Sequence, residues 1–152
     1  MKKTSRENIA VSEIIGKALG ITFKNEEFSL GKWGEVDNWA QLPDNTLIFI
    51  ECEKGQKHPN TNVLKLYPYL EENPKAIIIL IHYFYPENKA PKNRLTLCDY
   101  LGDKMEQLFG GRFKYVSLKC KKNEIAGKLQ EHNNELMQVL LKGKVMLKIN
   151  HE

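Results

Sequence analysis

Three acidic residues of this sequence fall where neighbouring strands could bring them together. Glu51 and Glu53 end an apolar run typical of a strand, and side chains two residues apart in a regular strand share a face. Asp37 lies on the preceding predicted strand, which a hairpin can place opposite them. Three carboxylates at one sheet edge repel each other and lose solvation, and a divalent cation relieves both effects. Because all-oxygen ligands favour a hard ion, the sequence predicts a Mg²⁺ site that Mn²⁺ should also occupy.

An ion held by carboxylates suits the hydrolysis of phosphodiester bonds, because it lowers the pKa of a bound water and neutralises charge on the phosphate. The charge of the chain permits a nucleic-acid partner, with 23 lysines and arginines against 19 acidic residues and a net charge of +4. Lysine provides nearly all of the basic charge, since the arginines are only Arg6, Arg94 and Arg112. This composition favours contact with the phosphate backbone over bidentate recognition of guanine.

A predicted β-hairpin carries these acidic residues. Its strands cover residues 32–40 and 46–54, the second rich in branched and aromatic side chains, and turn-forming residues 42–45 join them. A helix is predicted over 61–72, ahead of the apolar run 76–84, which is typical of a strand buried on both faces. Because helical crossovers join parallel strands, the strands 46–54 and 76–84 should be parallel neighbours.

The remaining segments predict further helices and strands around this centre. Pro68 lies inside the helix 61–72 and should kink it or make its first turns irregular. Gly20 should end the first helix. An α/β fold, with a mixed sheet and helices on both faces, is the economical arrangement for this order. In chain order the other predicted elements are a helix over 6–19, a short hairpin over 21–30, a helix over 95–109, a strand over 112–118 and a helix over 122–142.

Length and composition predict one domain without membrane or export character. The 152 residues, 41% hydrophobic and 28% charged, suit a single domain over 1–152. No apolar run approaches the roughly 20 residues of a membrane-spanning helix, and no apolar stretch of a secretory signal follows the basic start. The three cysteines form no CxxC pair, which argues against a disulfide framework or a four-thiolate zinc site. We therefore expect a cytoplasmic protein.

The element order and the acidic residues resemble the PD-(D/E)XK nuclease superfamily, which has the restriction-endonuclease-like fold. The resemblance covers about residues 7–118, and the helix over 122–142 follows this core. Asp37 matches the metal-binding aspartate and Glu51 the first acidic residue of the second motif, whereas Glu53 stands at the usual lysine position, as in an ExE form known in some restriction enzymes. The resemblance implies a mixed sheet flanked by helices and an endonuclease that hydrolyses DNA with Mg²⁺, with RNA left open as a substrate.

The resemblance also implies roles for individual residues. Asp37, Glu51 and the main-chain carbonyl of Cys52 would hold the metal. Some members of the family supply the lysine from the helix that follows the second motif, which indicates Lys65 here. The family often adds an acidic residue from the first helix, and Glu13 is the candidate for that position.

Other residues near the second motif are further candidates. By the same resemblance Glu53 would bind the metal or orient the attacking water. Lys54 follows Glu53 immediately and should therefore point to the opposite face of the strand. Lys54 and Lys57 are less favoured alternatives to Lys65 for the catalytic lysine, and Gln56 could occupy or assist the lysine position.

A simpler interpretation stays open. Glu51 and Glu53 could end an edge strand in water, a common protection against aggregation. Asp37 could turn the hairpin, and Lys65 could be an ordinary solvated helix residue. The chain would then be a non-catalytic nucleic-acid or protein binding module on the same fold, without metal dependence. The enzymatic interpretation instead leads us to expect a homodimer, since a cut on both strands usually needs two active sites.

Overall fold

A four-stranded mixed β-sheet lies at the centre of the protein, in a computed structural model that describes residues 4–131. A separate two-stranded sheet precedes it along the chain. In chain order the elements are α1 (Arg6–Leu19), β1 (Phe28–Ser29), β2 (Glu35–Val36), β3 (Asn38–Gln41), β4 (Leu47–Glu53), α2 (Thr61–Leu64), α3 (Leu66–Glu72), β5 (Ile78–Phe84), α4 (Lys92–Phe109), β6 (Phe113–Lys119) and α5 (Ile125–Glu131).

The strand order in the large sheet is β3-β4-β5-β6. β3 pairs antiparallel with β4, whereas β4, β5 and β6 are parallel to one another. The predicted hairpin, the parallel neighbours on either side of the crossover and the α/β class are therefore confirmed. In this register Glu51 of β4 lies beside His82 of β5, and His82 lies beside Ser117 of β6.

Two hydrophobic cores lie on opposite faces of the sheet because successive strand residues point in opposite directions. Ile48 and Ile50 of β4 pack with α1 and α5 in one core. Leu47 and Phe49 pack with α2, α3 and α4 in the other. Glu51 continues the series of Leu47 and Phe49, so the acidic end of β4 lies on the face covered by α2, α3 and α4.

Local chemistry sets the ends of the first helix as predicted. The Ser5 hydroxyl accepts a hydrogen bond from the main-chain N–H of Asn8 at the amino end. At the carboxyl end Gly20 adopts a left-handed conformation, with a φ of 69°, and its N–H donates to the carbonyl of Gly16. The predicted bounds of 6–19 are confirmed.

The region before the hairpin differs from the prediction. Residues 21–30, all within the described part of the chain, do not form their own hairpin, because β1 pairs with β2 instead. The segment 32–40 is likewise not one strand. Gly31 and Gly34 have φ values of 68° and 109°, which extended strands do not adopt, and the chain bends again at Asp37.

The helix predicted over 61–72 is divided at Lys65 into α2 and α3. The cause is Pro68, which lacks an N–H and whose ring excludes the carbonyl four residues earlier, that of Leu64. The expected irregularity is therefore confirmed.

Within the described part of the predicted helix 122–142, Lys122–Glu124 form a 3-10 turn and α5 covers Ile125–Glu131; the rest of that prediction lies outside the described residues. None of the helices within residues 4–131 combines the length and the apolar character needed to cross a membrane.

Candidate functional site

The carboxyl end of β4 places two acidic side chains inside the protein. Pairing with β3 stops at Asn38 and Ile50, whereas pairing with β5 continues to Glu53. Glu51 and Glu53 are 3% and 0% exposed, so neither ends its strand in water. The removal of an ionised carboxylate from water is unfavourable by several kcal/mol unless charges or hydrogen bonds compensate. The neighbouring charges and hydrogen-bond donors of each acid therefore determine its protonation and its possible chemical role.

Lys65 provides the opposite charge for Glu51. Its ammonium group lies 2.7 Å from Oε1 of Glu51, and both side chains are largely buried. It also donates to Oδ1 of Asn62 at 2.9 Å and to the main-chain carbonyl of Glu35 at 2.6 Å. Three acceptors satisfy the three N–H donors of an ammonium group. The break between α2 and α3 thus delivers one fixed positive charge to the end of β4.

The protonation of Glu51 responds to this environment. Burial is the largest effect and raises its pKa, and the charges of Asp37 and Glu53 raise it further. Lys65 opposes them through its charge and its hydrogen bond. The net result is a pKa of about 8, so Glu51 exchanges a proton near neutral pH.

Asp37 lies at the bend between β2 and β3 and is half-buried. The hydroxyl of Thr4 donates to its main-chain carbonyl at 2.8 Å, which fixes the bend. Because Asn38 pairs with Ile50, Asp37 and Glu51 are the next residues along these two strands. The charge of Asp37 also raises the pKa of Glu51.

The main-chain carbonyl of Cys52 points toward the same side of β4 as Asp37. The carbonyl of Glu53 accepts a hydrogen bond from the N–H of Tyr85, so it points toward β5. Carbonyl groups of successive strand residues point in opposite directions, and that of Cys52 therefore points toward the β3 side. Two carboxylates and one carbonyl thus adjoin the open side of β4.

Glu53 belongs to a chain of hydrogen bonds that the sequence did not predict. Its Oε1 accepts hydrogen bonds from the amide of Asn62 and from Nε2 of His82, the latter at 2.8 Å. Nδ1 of His82 lies 2.8 Å from the hydroxyl of Tyr115. Burial is the main cause that lowers the pKa of His82, so its imidazole is neutral at pH 7. The sequence signal for His82 was the presence of a histidine inside an apolar strand. Its position beside Glu51 depends on the pairing of β4 with β5, which only the structure shows.

Three other predicted residues lie elsewhere. Lys54 points away from Glu53, as expected for the next residue along the strand. It forms exposed ion pairs with Glu7 at 3.0 Å and with Glu87 at 3.7 Å. Lys57 is exposed. Glu13 is also exposed, and its helix α1 packs against the face of the sheet opposite Glu51. The structure therefore does not bring Glu13 to the acidic pair, because the helix passes on the other side of the sheet.

The donor set near Glu51 suits a hard cation. Within residues 4–131 no three histidine, cysteine, aspartate or glutamate side chains are arranged to hold a metal ion. Asp37 and Glu51 with the carbonyl of Cys52 nevertheless offer three hard oxygen donors, and water can complete the shell of Mg²⁺. Burial is the main cause of the raised pKa of Glu51, and the charges of Asp37 and Glu53 raise it further; a divalent cation would offset both effects. The residues fit such an ion with Glu53 outside its inner shell.

The arrangement combines groups for three tasks in one small region. Asp37 and Glu51 can hold a cation, Lys65 can stabilise negative charge, and Glu53 can accept a hydrogen bond from a water molecule. Comparisons with protein-family models, with curated proteins and with solved structures find no match for this chain.

Proposed function

We propose that this protein is a nuclease of the restriction-endonuclease-like kind that hydrolyses phosphodiester bonds in DNA with Mg²⁺ or Mn²⁺. The observation that carries the proposal is the distance of 2.7 Å between the Lys65 ammonium group and Glu51. In the family pattern a lysine occupies the strand position at which Glu53 stands here. Lys65, which follows the second motif in the crossover helix, would take the role of that lysine. The order of helix, antiparallel hairpin, crossover helix and parallel strand is a second support.

Each residue has a role in this proposal. Asp37, Glu51 and the carbonyl of Cys52 would hold the metal, which when bound lowers the pKa of water and neutralises phosphate charge. Lys65 stabilises the negative charge that develops on the phosphate. Glu53 orients the attacking water through the oxygen that its hydrogen bonds leave available. A homodimer would provide the second active site that a cut on both strands requires.

Cleavage assays on single- and double-stranded DNA, and on RNA, with Mg²⁺ or Mn²⁺ test the proposal. We expect DNA cleavage by the wild type and a loss of about 100-fold or more for Asp37→Asn and Glu51→Gln, since each removes a metal ligand. Glu13→Gln is the matched control, because it makes the same change on the opposite side of the sheet. Cleavage by Asp37→Asn at the wild-type rate contradicts the enzymatic proposal, and a preference for RNA would correct its substrate.

One observation favours a non-catalytic binding module on the same fold. Glu51 has Lys65, and Glu53 has His82 and Asn62, so both acids have protein partners without an ion. Calorimetric titration with Mg²⁺ and Mn²⁺ separates the two functions. Heat of binding and a metal-dependent rise in melting temperature support the nuclease, whereas the absence of both supports the binding module.

A further inference from the structure

A chain of hydrogen bonds crosses three parallel strands on the face that carries the acids. It starts at Glu53 on β4, passes through His82 on β5 and ends at Tyr115 on β6. Both ring nitrogens of His82 lie 2.8 Å from an oxygen atom. His82 is fully buried, and its ring packs against Phe84 with 4.4 Å between ring centroids. The imidazole therefore has fixed partners at both ends and neighbours that fix its plane.

The hydrogen bonds assign one tautomer to His82. An ionised Glu53 can only accept, so Nε2 must carry the proton that it donates to Oε1. Nδ1 is then an acceptor, and the Tyr115 hydroxyl donates to it. The ring of Tyr115 is itself held against α4, because a Cβ added at Gly102 would lie 2.3 Å from its Cδ2 atom. Tyr115 thus fixes the tautomer that Glu53 needs.

The two oxygens of Glu53 have different surroundings. Oε1 accepts from both Asn62 and His82. Oε2 is buried and has no hydrogen-bond partner among residues 4–131. A buried carboxylate oxygen without a hydrogen-bond partner is energetically unfavourable. Two fixed donors on one oxygen prevent rotation of the carboxylate and leave the other oxygen as the acceptor for a ligand.

We propose that His82 is a positioning residue, which with Tyr115 holds the Glu53 carboxylate so that Oε2 orients the attacking water. The inference rests on the proposed nuclease function and adds two residues to it. His82 and Tyr115 touch neither substrate nor metal in this role. Residues that orient catalytic groups in this way typically contribute 10- to 100-fold to activity.

Steady-state kinetics of four variants on a DNA substrate with Mg²⁺ test the inference. His82→Phe keeps the ring volume but removes both hydrogen bonds, and we expect a kcat about 10- to 100-fold lower with KM within about 3-fold. His82→Gln can still donate from its amide to Glu53, and we expect it to recover most of the activity. Tyr115→Phe should lower kcat less than His82→Phe.

Tyr85→Phe is the matched control. It removes another buried tyrosine hydroxyl, which donates to Asn8 at 2.9 Å on the other face of the sheet. We expect it to lower the melting temperature without lowering kcat. If His82→Phe keeps the wild-type kcat, or if His82→Gln loses as much as His82→Phe, the positioning role is refuted.

The tautomer provides a test that needs no substrate and no variant. We expect ¹⁵N NMR of the wild type at pH 7 to show His82 neutral and protonated at Nε2, and protonation at Nδ1 would overturn the inference. A wild type that cleaves no nucleic acid with Mg²⁺ or Mn²⁺ would overturn the nuclease proposal and this role together. An active wild type with an insensitive His82→Phe variant would overturn this role alone.

Discussion

Two lysine–glutamate pairs stand at the same end of β4 in opposite environments. Lys54 and Glu7 meet at 3.0 Å with about half of each side chain exposed, at 47% and 55%. Lys65 and Glu51 meet at 2.7 Å with 15% and 4% exposed. The first pair is a surface ion pair, whose attraction solvent largely screens. The second removes two charges from water, and a buried pair is often no more stabilising than apolar residues of similar volume. A gain in stability therefore does not account for this pair, which is consistent with the proposed role of Lys65 and Glu51 in catalysis.

The largest expected difference between the pairs is in the free energy of unfolding. At pH 9, above the pKa of Glu51 in the wild type, Lys65→Met removes the cation that lowers this pKa, so Glu51 must either stay charged without a partner or take up a proton, and we expect a loss of about 3–5 kcal/mol. Urea denaturation at pH 9 measures this loss. An unfolding free energy within 1 kcal/mol of wild type would show that the buried pair behaves as the exposed one does. We also expect Lys65→Met to reduce DNA cleavage by about 100-fold or more.

The pH dependence of stability provides a second comparison. Glu51 has a folded pKa of about 8 against an ordinary value of 4.5, so between these values the folded protein binds a proton that the unfolded chain has released. Its contribution to stability is therefore complete at low pH, falls as pH rises through this window, and levels off above pH 8. The slope for one proton is at most about 1.4 kcal/mol per pH unit. Urea denaturation from pH 5 to 9 should show this fall in wild type and a flatter profile in Glu51→Gln.

Metal binding provides a third comparison between the buried acids and the exposed pair of Lys54 and Glu7. Metal ions compete with the proton on Glu51, so we expect the affinity for Mn²⁺ to increase with pH up to about 8. At an ion concentration 100 times the dissociation constant, the stabilisation is about 2.7 kcal/mol. Thermal unfolding with and without Mn²⁺ measures it. Asp37→Asn should lose this stabilisation and Lys54→Met should keep it, and an equal response in both variants would contradict the proposed ligands.

The smallest effect is expected at the exposed pair. Lys54→Met breaks the contacts with Glu7 and Glu87, yet solvent already surrounds all three side chains. We expect its urea midpoint to equal that of wild type within error, at both 0.1 and 1 M NaCl. A clear decrease that high salt removes would show that this surface pair stabilises the fold.

The fold was predictable where local chemistry decides it. Gly20 ends α1, and Pro68 divides the crossover helix, because each residue restricts its own backbone. The prediction of a hairpin over 21–30 was wrong because the glycines at 31 and 34 turn the chain so that β1 pairs with β2. Such pairing depends on competition between partners, which a local pattern does not contain.

In the candidate site, the positions of the acidic residues could be predicted from the sequence, but their hydrogen-bond partners could not. Alternation along β4 correctly placed Glu51 and Glu53 on one face. His82 was missed because its partner depends on the register between β4 and β5, and Glu13 was misplaced because the sequence does not state which face α1 covers. Contacts between residues on different strands can be predicted only when the pairing of the strands is known.

The proline in the crossover has a mechanical consequence. α3 is anchored by the fully buried Leu66 and Leu70, and α2 is a single turn anchored by the fully buried Val63. Since Pro68 cannot donate to the carbonyl of Leu64, the two segments do not form one continuous helix, and each takes its direction from its own buried residues. Asn62 and Lys65 can therefore face the end of β4 without following the axis of α3.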